Sequence, residues 1–86
     1  MWDALTNTPA EAVEMKMRSA VMMAVEEAVR AWGTTQAVAA KRLKISQPRL
    51  NDLLRGKISK FSLEALVGLA VHAGLKVTVK ITQKAA

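Results

Sequence analysis

Eighty-six residues, 51% of them apolar and only three aromatic, make one small domain of helical rather than disordered composition. The absence of cysteine excludes disulfides and thiolate metal sites, and the longest strictly apolar run, Ala65 to Val71, is far shorter than the roughly 20 residues of a membrane span. The net charge is +6, and all of it lies in one segment: Lys41, Arg42, Lys44, Arg49, Arg55, Lys57 and Lys60 stand against a single acid, Asp52, while the charges elsewhere cancel.

Residues 1–8 read as a loose leader. No basic start followed by an apolar run marks a secretory signal, so a cytoplasmic protein is expected. Thr8-Pro9-Ala10-Glu11 opens a helix, with Thr8 as N-cap, Pro9 in the first turn and Glu11 reaching back. Nothing breaks it before Trp32, and Gly33 is a natural stop, giving a helix of roughly 34 Å. Met22, Val25, Val29 and Trp32 form its apolar stripe. The pattern is less clean between Glu14 and Ser19 and admits a bend there. Met15, Met17, Met22 and Met23 are assigned to core or dimer packing.

Thr35 caps a second helix, Gln36 to Leu43. Ile45-Ser46 is a tight turn, and Ser46 caps a third helix, Gln47 to Arg55, with Pro48 tolerated in its first turn. Gly56 ends it, Lys57 to Phe61 form a basic connector, and Ser62 caps a fourth helix, Leu63 to Ala73. Leu63, Leu66, Val67 and Ala70 are its expected buried face. The period then changes: Leu75, Val77, Val79 and Ile81 alternate with Lys76, Thr78, Lys80 and Thr82, which predicts a half-buried strand. A lone strand leaves its backbone groups unpaired, so its simplest partner is the same strand of a second copy.

A neutral body with one basic segment fits a polyanion, either nucleic acid or an anionic membrane surface. The pattern within the segment separates them. Ala40 is small where two helices would cross, Lys44 stands at a left-handed turn position, and Leu50 and Leu53 are spaced to pack the third helix back. The run TTQAVAAKRLKISQPRLNDLLRGK resembles the XRE/Cro-type helix-turn-helix of phage repressors. Together with KFSLEALVGLAVHAGLKVTVKI it resembles, more narrowly, the small HigA-like antitoxins, over about residues 15–82. One departure is Lys44, where the family usually has Gly; a side chain at positive φ costs on the order of 1 kcal/mol.

The resemblance implies a mainly α, lambda-repressor-like helical bundle spanning 9–86, with its motif at 35–56. A C-terminal β-strand at 75–83 would pair across a homodimer through Val77, Val79 and Ile81. It places the third helix in the major groove of double-stranded DNA, with Gln47, Pro48, Arg49, Asn51 and Asp52 at base edges. Arg49 suits guanine, Gln47 adenine, and Asp52 either cytosine or the bracing of Arg49 and Arg55. Thr35, Gln36, Ser46, Arg55, Lys57 and Lys60 would hold phosphates. The implied function is a repressor on a palindromic operator, acting as the antitoxin of a type II pair against a RelE/HigB-like ribonuclease. The alternatives are a stand-alone phage or bacterial repressor and a pure protein-interaction module. No cofactor, metal or enzymatic activity is expected: His72 is a lone histidine, and no paired carboxylates, phosphate loop or Ser/His/Asp set is present.

Overall fold

In a computed structural model that describes residues 8–83, four helices follow one another. They are α1 (Pro9–Trp32), α2 (Gln36–Leu43), α3 (Gln47–Leu54) and α4 (Leu63–His72), with a 3-10 turn at Ile58–Lys60 between α3 and α4. Hydroxyl side chains set every start. Glu11 N–H donates to Thr8 Oγ1 at 3.1 Å and Thr8 N–H donates to Glu11 Oε1 at 2.9 Å, a complete capping box. Thr35, Ser46 and Ser62 accept from the backbone amides of Val38, Arg49 and Ala65. The expected leader, apart from Thr8, lies outside the described residues.

The turn between α2 and α3 is built on Lys44, at φ 62°, ψ 40°. Among the described residues it is the one non-glycine with positive φ. Its N–H donates to Lys41 O, and Ile45 N–H donates to Ala40 O, closing the end of α2. These bonds offset the steric cost of a Cβ in that conformation. Ala40, 2% exposed, belongs to the buried core at the end of α2, where a larger side chain would overpack it.

The core is one cluster: Met22, Val25 and Val29 from α1, Leu43 from α2, Leu50 and Leu53 from α3, and Leu66, Leu69 and Ala70 from α4. Phe61 is completely buried among them although it belongs to the connector. α1 packs chiefly on α4, and α2 on α3. The buried face of α4 is rotated slightly from the expected one: Leu66, Leu69 and Ala70 are inside, with Ala73 just beyond the helix, while Leu63 and Val67 are half-buried. α1 is helical throughout. Its pattern blurs between Glu14 and Ser19 because its first half lies off the core, with Val13, Met15 and Met17 exposed. Of the clustered methionines, Met22 alone is buried.

No strand forms among the described residues, so the predicted strand at 75–83 is not present as such in the single chain. Leu75 N–H donates to Ala70 O at 2.9 Å, and among the described residues no backbone group of 76–83 has a backbone partner after it. The reason is topological. A ladder requires a second strand, and four helices supply none. The segment instead passes along α1, bordering first Ala20, Val21 and Ala24, then Val13 and Met17.

Candidate nucleic-acid interface

Leu50 and Leu53 are fully buried, and this fixes which side of α3 meets solvent. Pro48, Asn51 and Arg55 follow at i, i+3 and i+7 on the opposite side, with Gln47 beside them, and all four are exposed. Eight residues make α3 about 12 Å long, and this face bears two carboxamides and one ring, with the Arg55 guanidinium at the C-cap.

Arg49 and Asp52 occupy the flank rather than this outer face, and both are half-buried. Gly56, at φ 72°, turns the chain so that the connector returns beside α3. Arg49 meets it there: its Nη1 donates to Lys60 O at 3.2 Å, and its guanidinium carbon lies 4.3 Å from the centre of the Phe61 ring. Withdrawing it from both contacts costs on the order of 1–2.5 kcal/mol. The Asp52 carboxylate forms ion pairs with the ammonium groups of Lys57 and Lys60, each at 3.6 Å, and the Asp52 backbone carbonyl accepts Lys57 N–H at 3.1 Å. The expected bracing of Arg49 and Arg55 by Asp52 is therefore replaced by pairing with two lysines, because the connector approaches more closely than either arginine head.

The remaining basic groups surround α3. Arg55 and Lys60 are exposed and Lys57 is partly so. Lys41 and Lys44 are exposed on and after α2, and Arg42 stacks over Trp32 at 4.0 Å. Thr35, Gln36 and Ser46 are exposed at the starts of α2 and α3, where backbone amides lack helical partners. Val77, Val79 and Ile81 lie apart from this surface, beside α1, and are 37%, 65% and 87% exposed.

Arg18 of α1 is a residue the sequence reading passed over. Its Nη1 donates to Phe61 O at 3.3 Å and its Nε lies 3.9 Å from Glu14, so two arginines from different helices hold successive carbonyls of the connector. A signal was available: Arg18 stands four residues before Met22, on the same stripe as Val25 and Val29, where a charge needs a partner. Among the described residues no cluster of His, Asp or Glu could hold a metal, and no helix is long and apolar enough to cross a membrane.

Residues 5–82 match the family described as a helix-turn-helix domain. A solved structure, of a protein provisionally named an XRE family transcriptional regulator, is 30% identical in sequence; the match covers 85% of this chain and 82% of that one, with a TM-score of 0.78. No curated protein matches. On the family match and the likeness to that structure, over most of its length the chain belongs to the XRE-type helix-turn-helix family.

Proposed function

We propose that this protein is a sequence-specific, DNA-binding transcriptional repressor that acts as a homodimer. The observation that carries the reading is the outer face of α3, whose Gln47, Pro48, Asn51 and Arg55 are exposed within the segment that holds the whole net charge. A major groove about 12 Å wide admits such a helix with its polar side chains at base edges. Gln47 is suited to adenine N6 and N7, and Asn51 stands one turn further along. Arg55, Lys57 and Lys60, with the amide ends of α2 and α3 at Thr35, Gln36 and Ser46, are suited to phosphates, which fix register without reading sequence.

The tail supports the dimer. Its backbone, without a backbone partner among the described residues, and its exposed Val77, Val79 and Ile81 would form an edge that a second copy satisfies by symmetric pairing. A groove of about 710 Å³ runs between this tail and Val13 and Met17 of α1, so the apolar seat is wider than the strand alone. Two α3 helices would then enter successive major grooves about 34 Å apart on a palindromic operator. Residues 9–86 act as one domain in this reading. A gel shift with the protein's own upstream DNA, with light scattering of the free protein, tests it. A discrete shift from a dimer supports it, and no specific shift at low salt overturns it.

At a finer level, the protein is the antitoxin of a type II pair that neutralises a RelE/HigB-like ribonuclease and represses its own operon. The segment KFSLEALVGLAVHAGLKVTVKI carries that resemblance, and exposed Val13, Met15, Met17 and Met23 offer an adaptable apolar surface. Co-expression with the adjacent gene and mass measurement of what elutes is the test. Absence of a co-eluting product, itself toxic when expressed alone, leaves a stand-alone repressor.

A further inference from the structure

We infer that Arg49 and Asp52 read no base: they are positioning residues that fasten the basic connector to α3, and base recognition falls to Gln47, Pro48 and Asn51. This rests on α3 being the groove helix, as proposed above. Both residues flank the outer face of α3, close enough for a long side chain to turn toward a groove, yet each is already committed. Arg49 donates to Lys60 O and covers Phe61, a side chain with no exposed surface of its own. Asp52 draws two ammonium groups to one carboxylate, both at 3.6 Å.

Withdrawing Arg49 would uncover Phe61 and strip a carbonyl of its donor, a loss comparable to what a bidentate guanine contact returns. Withdrawing Asp52 would release Lys57 and Lys60 from a common anchor just where a phosphate track needs them ordered. The connector has no long secondary structure of its own, only one 3-10 turn, so these ties and Arg18 add to the buried Phe61 ring in holding its shape. The lysines thus reach the DNA backbone in a conformation set in advance by α3. The helix that reads the bases also aims the side chains that grip the phosphates.

The test is selection of binding sites from a random duplex pool by the full chain and by Arg49→Ala, Arg49→Lys and Asp52→Asn, each first shown to be folded by circular dichroism. The expected result is one consensus shared by all four proteins. Arg49→Ala should bind the selected site roughly tenfold more weakly, equally at every base pair. Arg49→Lys, which keeps the charge but lacks the planar fork, should behave like Arg49→Ala rather than like the parent. The slope of log affinity against log salt should flatten by about 1–2 in Arg49→Ala, as Lys57 and Lys60 lose their places. It should flatten no further when Arg49→Ala is added to a Lys57→Ala, Lys60→Ala background.

Relaxed selection at a single base pair in any variant overturns the assignment of that residue, as does full rescue of Arg49→Ala by Arg49→Lys. If Arg49→Ala does not fold, Asp52→Asn and Arg49→Lys decide by the same readouts. A parent protein that selects no consensus overturns the DNA-reading proposal itself, and this inference with it.

Discussion

Two regions of this chain are open to solvent, and they expose opposite chemistries. Around α3 the exposed groups are charged or polar, while the chain beneath them is satisfied internally: caps accept amides, Lys44 closes α2, and Arg49 and Asp52 tie down the connector. Along the first half of α1 and the tail, the exposed groups are Val13, Met17, Val79 and Ile81, and the tail's backbone has no partner in the described chain. A hydrated basic surface is stable in water and waits for a ligand that brings negative charge. An apolar edge with unpaired amides is complete only when another chain covers it. The first region suits a polyanion as it stands, whereas the second is the surface on which the proposed dimer depends.

The sharpest way to separate the two regions is to damage what they share. Phe61→Ala removes a fully buried ring on which the connector and Arg49 both rest, and should cost about 3–5 kcal/mol. In so small a domain that is most of the stability, so thermal unfolding followed by circular dichroism should lose its cooperative transition at growth temperature. Truncation after Leu75 should do the reverse, leaving the helices intact and the protein monomeric by light scattering. Operator affinity should then fall roughly 10²–10⁴-fold, because two tethered half-site contacts become one. An undiminished dimer would assign the interface to α1 instead.

Smaller effects test the polar region alone. Gln47→Ala should cost about 1–3 kcal/mol on the selected site and relax preference at one base pair. Arg55→Ala should weaken all sequences alike and flatten the salt slope by about 0.9, since one phosphate contact is lost. Lys44→Gly removes a Cβ from positive φ and should raise stability by about 0.5–1 kcal/mol in urea unfolding. It should do so while slightly weakening DNA binding.

The parts of the fold legible in the sequence are those decided within three or four residues. Thr8, Thr35, Ser46 and Ser62 start helices because a hydroxyl reaches the amide three positions on, and that reach does not depend on the rest of the molecule. Gly33 and Lys44 stop them for equally local reasons. The order of α2, turn and α3 follows directly. That Arg18 needs a partner is legible from its place on the apolar stripe, but the connector contacts of Arg49, Asp52 and Arg18 are not, since those partners lie 5 to 43 residues away and depend on the path of the chain after Gly56. A helical wheel places Arg49 on α3 but does not reveal that Phe61 lies against it. The tail's alternation is plain in the sequence, yet the strand it predicts does not form among the described residues, because four helices offer it no second strand.

Leu75 is bonded to the end of α4 with no linker between them, and Gly74, at φ 83°, is the bend that makes this possible. In a dimer joined through 76–82, each reading head would therefore be geared to the joint rather than hung from it. Such a regulator measures distance as well as sequence. Five base pairs inserted between half-sites would turn one of them to the far face of the duplex, where a geared head cannot follow. Ten would restore the phase but exceed the span. Operator spacing should be as strict a requirement as operator sequence.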